Sequence, residues 1–157
     1  MIGLSYFRAE RGRGRIFWLT ALLTVIFDQA SKWIIASALS LGESVPVIPG
    51  VLYLTHVHNR GGAFGLLDGQ VGVLIGVTVA VVLAAVVGYP KVVKAGLAVP
   101  GGLILGGAIG NLADRLRLQS VVDFIDFRVW PVFNVADVAI VLGVGLVLLR
   151  SFKHAGE

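Results

Sequence analysis

Four long apolar stretches, separated by polar connections, constrain this chain more than any other feature. They cover approximately residues 16–39, 70–89, 95–113 and 133–149. Each is close to the roughly 20 residues a helix needs to cross the hydrocarbon core of a bilayer. The composition agrees: 57% of the 157 residues are hydrophobic and 14% are charged, too few charges to coat a soluble domain of this size. The expected fold is a single-domain, all-α membrane protein with four transmembrane helices.

The basic residues set the expected direction of those helices. Arg8, Arg11, Arg13 and Arg15 precede the first stretch, Lys91 and Lys94 lie between the second and third, and Arg150 and Lys153 follow the fourth. The other connections hold Arg60 in one, and Arg115, Arg117 and Arg128 mixed with Asp114, Asp123 and Asp126 in the other. The positive-inside rule then places both termini and the Lys91/Lys94 turn, opened by Tyr89-Pro90, in the cytoplasm. The same distribution reports topology rather than a nucleic-acid partner, and the net charge of +4 needs no other explanation.

The N-terminus also imitates a cleavable signal peptide, with Ala36-Ser37-Ala38 as the small-residue site. Asp28, Gln29 and Lys32 interrupt that pattern, so the first span is expected to be retained. The outward connections are about 43–69 and 114–132. Residues 43–58 carry β-branched and aromatic side chains in partial alternation, which predicts short strands on the membrane face. The connection between the third and fourth spans has a similar mixture, with Trp130 as an interfacial anchor. Both tails are expected to be solvated. With no cysteine, disulfides, thiolate metal sites and a cysteine nucleophile are excluded.

Polar groups inside or at the edge of a span are costly, by a few kcal/mol on insertion scales, and each needs a reason. Asp28 and Lys32 are four apart on one helical face, which fits a neutralising pair or a support for a site. Ser31 beside Lys32 does not make a serine–lysine dyad, since adjacent helical residues point about 100° apart. Gly102, Gly106 and Gly110 form a flat stripe suited to helix packing. Asn111, Asp114 and Arg115 share the outer end of the same helix; a salt-bridged terminus would account for the last two, while the Asn111 amide could donate to a carbonyl. Asn134-x-x-Asp137 has the spacing of a capping box, and Asp123 could be a surface carboxylate.

Against those structural readings, Asp123 and Asp137 have apolar flanks and belong to adjoining elements at one membrane face. Two close carboxylates tend to share a proton. That equips them for aspartic hydrolysis, with the ionised member as general base and the neutral one polarising the scissile carbonyl. A helix N-terminus favours Asp137 as the ionised member, the pair titrating as a unit. His56 and His58 lie two apart but lack a third ligand, so no metal and no cofactor is expected. Asn59-Arg60-Gly61-Gly62-Ala63-Phe64-Gly65 lacks the lysine and hydroxyl of a phosphate loop, and its glycines suit a tight turn or close approach of an extended peptide.

Five blocks together resemble the lipoprotein signal peptidases, or signal peptidase II: Asp28-Gln29-Ala30-Ser31-Lys32, the Asn59–Gly65 block just given, Gly106 through Asn111 to Asp114-Arg115, Val121-Val122-Asp123-Phe124 and Phe133-Asn134-Val135-Ala136-Asp137. They occur in the family's order and span most of the chain. The resemblance implies an aspartic endopeptidase of the bacterial inner membrane with Asp123 and Asp137 as its dyad. The substrate it implies is a prolipoprotein signal peptide, cut just before a diacylglyceryl-modified cysteine. It further implies supporting or binding roles for Asn59, Gly61, Ala63, Asn111, Asp114, Arg115, Asn134, Asp28 and Lys32, contact with membrane lipid, and inhibition by cyclic peptide antibiotics such as globomycin. Val138 departs from the small polar residue the family often has there. The rival classes are a small transporter or proton-conducting protein centred on Asp28/Lys32, and a structural subunit using the glycine stripe.

Overall fold

The structure is a computed structural model that describes residues 2–61 and 69–155, with side chains from 11 to 153. Four helices carry a small antiparallel sheet at one end: α1 (Ile2–Ala38), β1 (Ser44–Ile48), β2 (Leu52–Asn59), α2 (Val71–Lys94), α3 (Ala98–Leu118), β3 (Val121–Asp126) and α4 (Val135–Ala155). Among the described residues, three helical segments are long and apolar enough to cross a membrane: Arg11–Ala38, Val71–Lys94 and Val135–Lys153.

The third apolar stretch does not reach that level as helix α3, and packing explains why. This helix contacts α1, α2 and α4. It buries Gly102, Leu105, Gly106, Gly107, Ala108, Gly110, Asn111 and Asp114. A helix enclosed by protein need not present a lipid-like surface. The outer helices show the converse pattern, with Leu22, Phe27, Val77, Val87, Val141 and Leu149 turned outward and exposed.

Helix boundaries differ from the sequence expectation at both tails and at Pro90. Helix α1 begins at Ile2 and α4 continues to Ala155, so the flanking segments extend the helices rather than ending them. Helix α2 passes through Pro90 and stops at Lys94. The missing proline N–H costs only one bond near the helix end, and the chain reverses afterwards at Gly96, whose φ of 71° suits a residue without a side chain.

Glycines set the distance between helices. A Cβ at Gly102 would lie 2.6 Å from the Phe17 carbonyl oxygen, and one at Gly106 2.6 Å from that of Ala21. One at Gly107 would lie 2.5 Å from the Ala136 carbonyl oxygen on α4. The stripe therefore brings α1 and α3 into backbone contact. Around it sits an apolar cluster of Phe17, Ala21, Val93, Ala98 and Leu105.

The sheet has the order β1-β2-β3. Its second strand pairs antiparallel with β3, placing Val57 opposite Asp123 and Asn59 opposite Val121. Asn59 is therefore the diagonal neighbour of Asp123 on one face of the ladder.

Candidate active site

The polar residues of the spans meet where α1, α3, β3 and the start of α4 converge. Lys32 is 3% exposed, yet its ammonium uses all three donors: Asp28 Oδ2 at 2.9 Å, Asp114 Oδ2 at 2.9 Å and Asn111 Oδ1 at 3.0 Å. Asp28 Oδ1 accepts the Ala136 backbone N–H at 2.9 Å, so a carboxylate on α1 caps a free donor of α4. Asp114 takes four donors, from Lys32, Gln29, Arg117 and the Val122 backbone.

Asp114 thus pairs with Lys32 and Arg117, whereas the salt-bridged terminus anticipated from sequence joined it to Arg115. Neighbouring positions on a helix diverge by about 100°. Arg115 instead donates weakly to Thr78 Oγ1 at 3.5 Å and lines a cavity of ≈ 280 Å³ together with Asn59, Asn111, Asp123 and Asp137. Trp130, Pro131, Phe133 and Val141 complete an apolar rim.

Three asparagines hold the two aspartates at that cavity, and unambiguous donors fix how each amide is turned. Lys32 can only donate, so Asn111 presents its oxygen to Lys32 and its nitrogen to Asp137 Oδ1 at 2.8 Å. The Asp137 backbone N–H bonds Asn134 Oδ1 at 3.0 Å, so Asn134 Nδ2 faces Asp123 Oδ1 at 2.6 Å and Asn111 Oδ1 at 3.1 Å. The Gly61 N–H bonds Asn59 Oδ1 at 3.1 Å, leaving Asn59 Nδ2 to donate to Asp123 Oδ2 at 2.8 Å. Asp137 Oδ2 accepts the Asn134 backbone N–H at 3.3 Å, which closes the capping box. The box and the cavity are one structure, so the capping role of Asp137 does not compete with a chemical one.

Asp123 is 2% exposed, and burial pushes its carboxyl up to about 7, reinforced by the nearby charge of Asp137 and opposed by the Asn59 and Asn134 amides. Such a group is half-protonated near neutrality.

Of the residues singled out from sequence, Asp28, Lys32, Asn59, Asn111, Asp114, Arg115, Asp123, Asn134 and Asp137 converge here. Gly61 orders Asn59 through its backbone. Ala63, with Gly62, Phe64 and Gly65, lies outside the described residues. His56 and His58 are 5.3 Å apart between ring centres, but their Nδ1 atoms bond Leu39 O and Ser120 Oγ respectively. Among the described residues there is no group of three metal-ligating side chains.

Sequence reasoning assigned no role to Gln29. Its amide donates to Asp28, Asp114 and the Gly110 carbonyl, and its oxygen accepts from Arg117. The signal was present: an uncharged polar side chain inside an apolar span, next to a buried carboxylate.

The family model for signal peptidase (SPase) II matches residues 20–153, a stretch that contains every one of these groups. The chain belongs to the signal peptidase II family. Members of this family are peptidases, so the protein is a hydrolase. Similar proteins include a lipoprotein signal peptidase of Moorella thermoacetica, 48% identical over 90% of this chain and 95% of its own length. Another, from Halothermothrix orenii, is 42% identical over 87% and 95% respectively. The fold resembles that of a bacterial membrane enzyme solved by the in meso method at 2.3 Å, with TM-score 0.82, 36% identity and 87% of each chain covered. A second such structure, at 1.9 Å, gives TM-score 0.77 at the same identity.

Proposed function

We propose that the protein is an aspartic endopeptidase that removes signal peptides from diacylglyceryl-modified prolipoproteins, cutting on the N-terminal side of the lipidated cysteine. The single observation that carries this reading is the shared cavity lined by Asp123 and Asp137, with Asn59, Asn111 and Asn134 each turned to donate to one or the other. The substrate class rests on the similarity to the lipoprotein signal peptidases.

In the proposed mechanism Asp137, in the first turn of α4, is the ionised partner. It takes a proton from water as the oxygen attacks the scissile carbonyl carbon. Asp123, neutral at the start, donates to the carbonyl oxygen as it gains charge. The tetrahedral species then collapses, the C–N bond breaks, and the leaving nitrogen receives a proton from the dyad. With Asp123 neutral, Asp28, Asp114 and Asp137 balance Lys32, Arg115 and Arg117, so the site carries no net charge before substrate arrives. Neutrality suits a cavity bordered by apolar walls. Nothing in these steps calls on a metal or other cofactor.

We further infer four spans forming one membrane unit, with both termini in the cytoplasm and the dyad at the outer face of the bacterial inner membrane. Helix α3 is 21 residues long, which at 1.5 Å per residue gives about 30 Å, enough to cross. Arg11 and Lys94 share one hollow, and Arg150 donates to the Gly96 carbonyl. These cations therefore gather at the end away from the dyad, as the positive-inside rule requires. A lipidated substrate would arrive laterally with its acyl chains in the bilayer. Cyclic peptide antibiotics would compete for the same cavity.

The test is cleavage of a diacylglyceryl-modified prolipoprotein by detergent-purified protein alongside Asp123→Asn and Asp137→Asn. Each variant should fold and lose at least about 10²–10⁴-fold in rate, the usual contribution of general acid–base catalysis. Cleavage that survives in either variant removes that aspartate from the mechanism. Dependence on Asp28 with indifference to Asp123 would instead favour a transporter.

A further inference from the structure

We propose that a groove between α1 and α2, at the end of the bundle remote from the dyad, is a binding site for an anionic phospholipid. The groove is an open hollow of ≈ 520 Å³ lined by Arg11, Arg15, Trp18, Leu19, Leu22 and Tyr89. A second hollow continues from it past Arg11 and Tyr89 to Pro90 and Lys94. These residues form a gradient along α1: two cations one turn apart, then an aromatic ring, then two leucines towards the membrane centre. Spacings of three, four and seven residues put them on one helical face. The order matches a phospholipid, with its phosphate at the interface and an acyl chain running inward.

Three features distinguish the groove from ordinary basic flanks. The first is electrostatic. Among the described residues Arg11, Arg15 and Lys94 form no ion pair, although Lys32, Arg117 and Arg128 all do. Two such cations in the groove, Arg11 and Arg15, and a third, Lys94, in the hollow that adjoins it at Arg11 favour an anionic headgroup at a membrane interface.

The second feature is a rigid wall. Phe17 packs edge-to-face against Trp18 and Tyr89, which tilt against each other, with ring centres 5.1–5.4 Å apart. Phe17 is fully buried and anchors the other two. Trp and Tyr are residues of the headgroup level, apolar on one side and polar at one edge.

The third is a close approach. A Cβ on Gly14 would collide with the Tyr89 hydroxyl, so glycine at that position lets the phenol reach the α1 backbone between Arg11 and Arg15. Among the described residues that hydroxyl has no hydrogen-bond partner, and Tyr89 lines the same groove as the two arginines, so it is free to donate to a phosphate held there. The occupant is a lipid rather than free phosphate, because Leu19 and Leu22 extend the groove where only an acyl chain would lie.

From Arg15 to Asp28 is 13 residues of continuous helix, about 20 Å. The lipid would therefore occupy the opposite leaflet from the cavity and take no part in the chemistry. The site stands apart from the peptidase reading.

The experiment uses Trp18 as a reporter in a Trp33→Phe/Trp130→Phe background, reconstituted into vesicles containing a small fraction of brominated phosphatidylglycerol or brominated phosphatidylcholine. Trp18 should be quenched preferentially by the anionic lipid. The preference should fall about fivefold for each cation removed, and disappear in R11Q/R15Q. R13Q/K153Q, which removes as many charges outside the groove, should keep it. Excess glycerol phosphate should not reverse the quenching. Equal quenching by both lipids overturns the proposal, as does a preference that survives R11Q/R15Q. Equal loss in R13Q/K153Q also overturns it, since surface charge alone would then suffice. R11Q/R15Q with the native tryptophans should cleave prolipoprotein normally in detergent, so failure of the lipid site and failure of the peptidase reading give different results.

Discussion

The two ends of the helix bundle are stabilised by different physics. Near the cations of the N-terminal end, α1 and α3 meet through Phe17, Ala21, Ala98 and Leu105, with Val93 of α2 in the same cluster and glycine allowing backbone contact. At the other end the same two helices are joined by Lys32, Asp28, Asn111, Asp114 and Gln29, all buried or half-buried. In lipid, apolar burial gives little association energy, so the first end depends on close packing. The second depends on complete hydrogen bonding, because each unpaired group would be costly. Packing alone cannot aim a carboxylate. A network in which Lys32 fixes Asn111, and Asn111 faces Asp137, can.

That contrast is broken most forcefully at Lys32. Lys32→Met leaves Asp28 and Asp114 buried without their common cation, and should cost about 3–5 kcal/mol, read as a lowered Tm in detergent. Leu105→Ala at the apolar end should cost a comparable amount, about 2–5 kcal/mol, through the cavity it leaves. The two should differ in activity per folded molecule. Leu105→Ala should retain it, and Lys32→Met should lose it, because Asn111 is then free to turn its oxygen towards Asp137. Equal activity in both would mean that the network only stabilises.

A graded version follows the glycine stripe from one end to the other. Alanine at Gly102, Gly106 or Gly110 forces α1 from α3, at about 1–3 kcal/mol each by the usual cost of overpacking. At Gly102 and Gly106 the new methyl meets the Phe17 and Ala21 carbonyls, whereas at Gly110 it meets the Asp28 carboxylate. Thermal melts should therefore show similar losses, while cleavage rates fall progressively from Gly102→Ala to Gly110→Ala. A flat activity series would separate helix spacing from the site.

Much of this was legible in the sequence, because membranes make polar residues conspicuous. Asp28, Lys32, Asn111, Asp123, Asn134 and Asp137 stand out from apolar surroundings, and the Asn134/Asp137 box follows from local spacing. The strands of 43–58 were readable from alternation. What local periodicity could not reveal was pairing across long separations. Asp114 bonds Lys32 across 82 positions, and Asp28 caps a helix that begins more than a hundred residues later. Nor could hydropathy distinguish a helix facing lipid from α3, which faces protein. Pro90 misleads for a third reason: near a C-terminus it removes a bond without ending the helix.

A smaller effect at the catalytic end concerns pH. Asp123, raised from its ordinary 3.8 to about 7, contributes stability that is fully present below the lower value and is lost as pH rises towards the upper one. The neutral form that the proposed mechanism needs disappears over the same upper limb, so cleavage should decline as pH rises through about 7. Asn134→Ala removes a donor that favours the charged form, and the falling limb should move to higher pH. The same change deletes the cap of α4, costing about 0.5–2 kcal/mol. A limb that stays in place would assign the titration to another group.

The smallest effect tests where the network ends. Arg117 reaches Asp114 Oδ1 at 3.1 Å, but its side chain is 63% exposed. Water can replace its bond, and exposed pairs contribute about 0–1 kcal/mol. Asp114 keeps Lys32, Gln29 and the Val122 N–H when Arg117 is lost. Arg117→Gln should therefore shift Tm slightly, by less as salt is raised, and leave the cleavage rate within about twofold. Lys32 and Arg117 would then differ by several kcal/mol although both touch one carboxylate. The difference would belong to burial, since the solvent that screens Arg117 cannot reach Lys32. A large loss of rate in Arg117→Gln would extend the positioning network to the protein surface and make Gln29, which bonds both Arg117 and Asp114, the next residue to change.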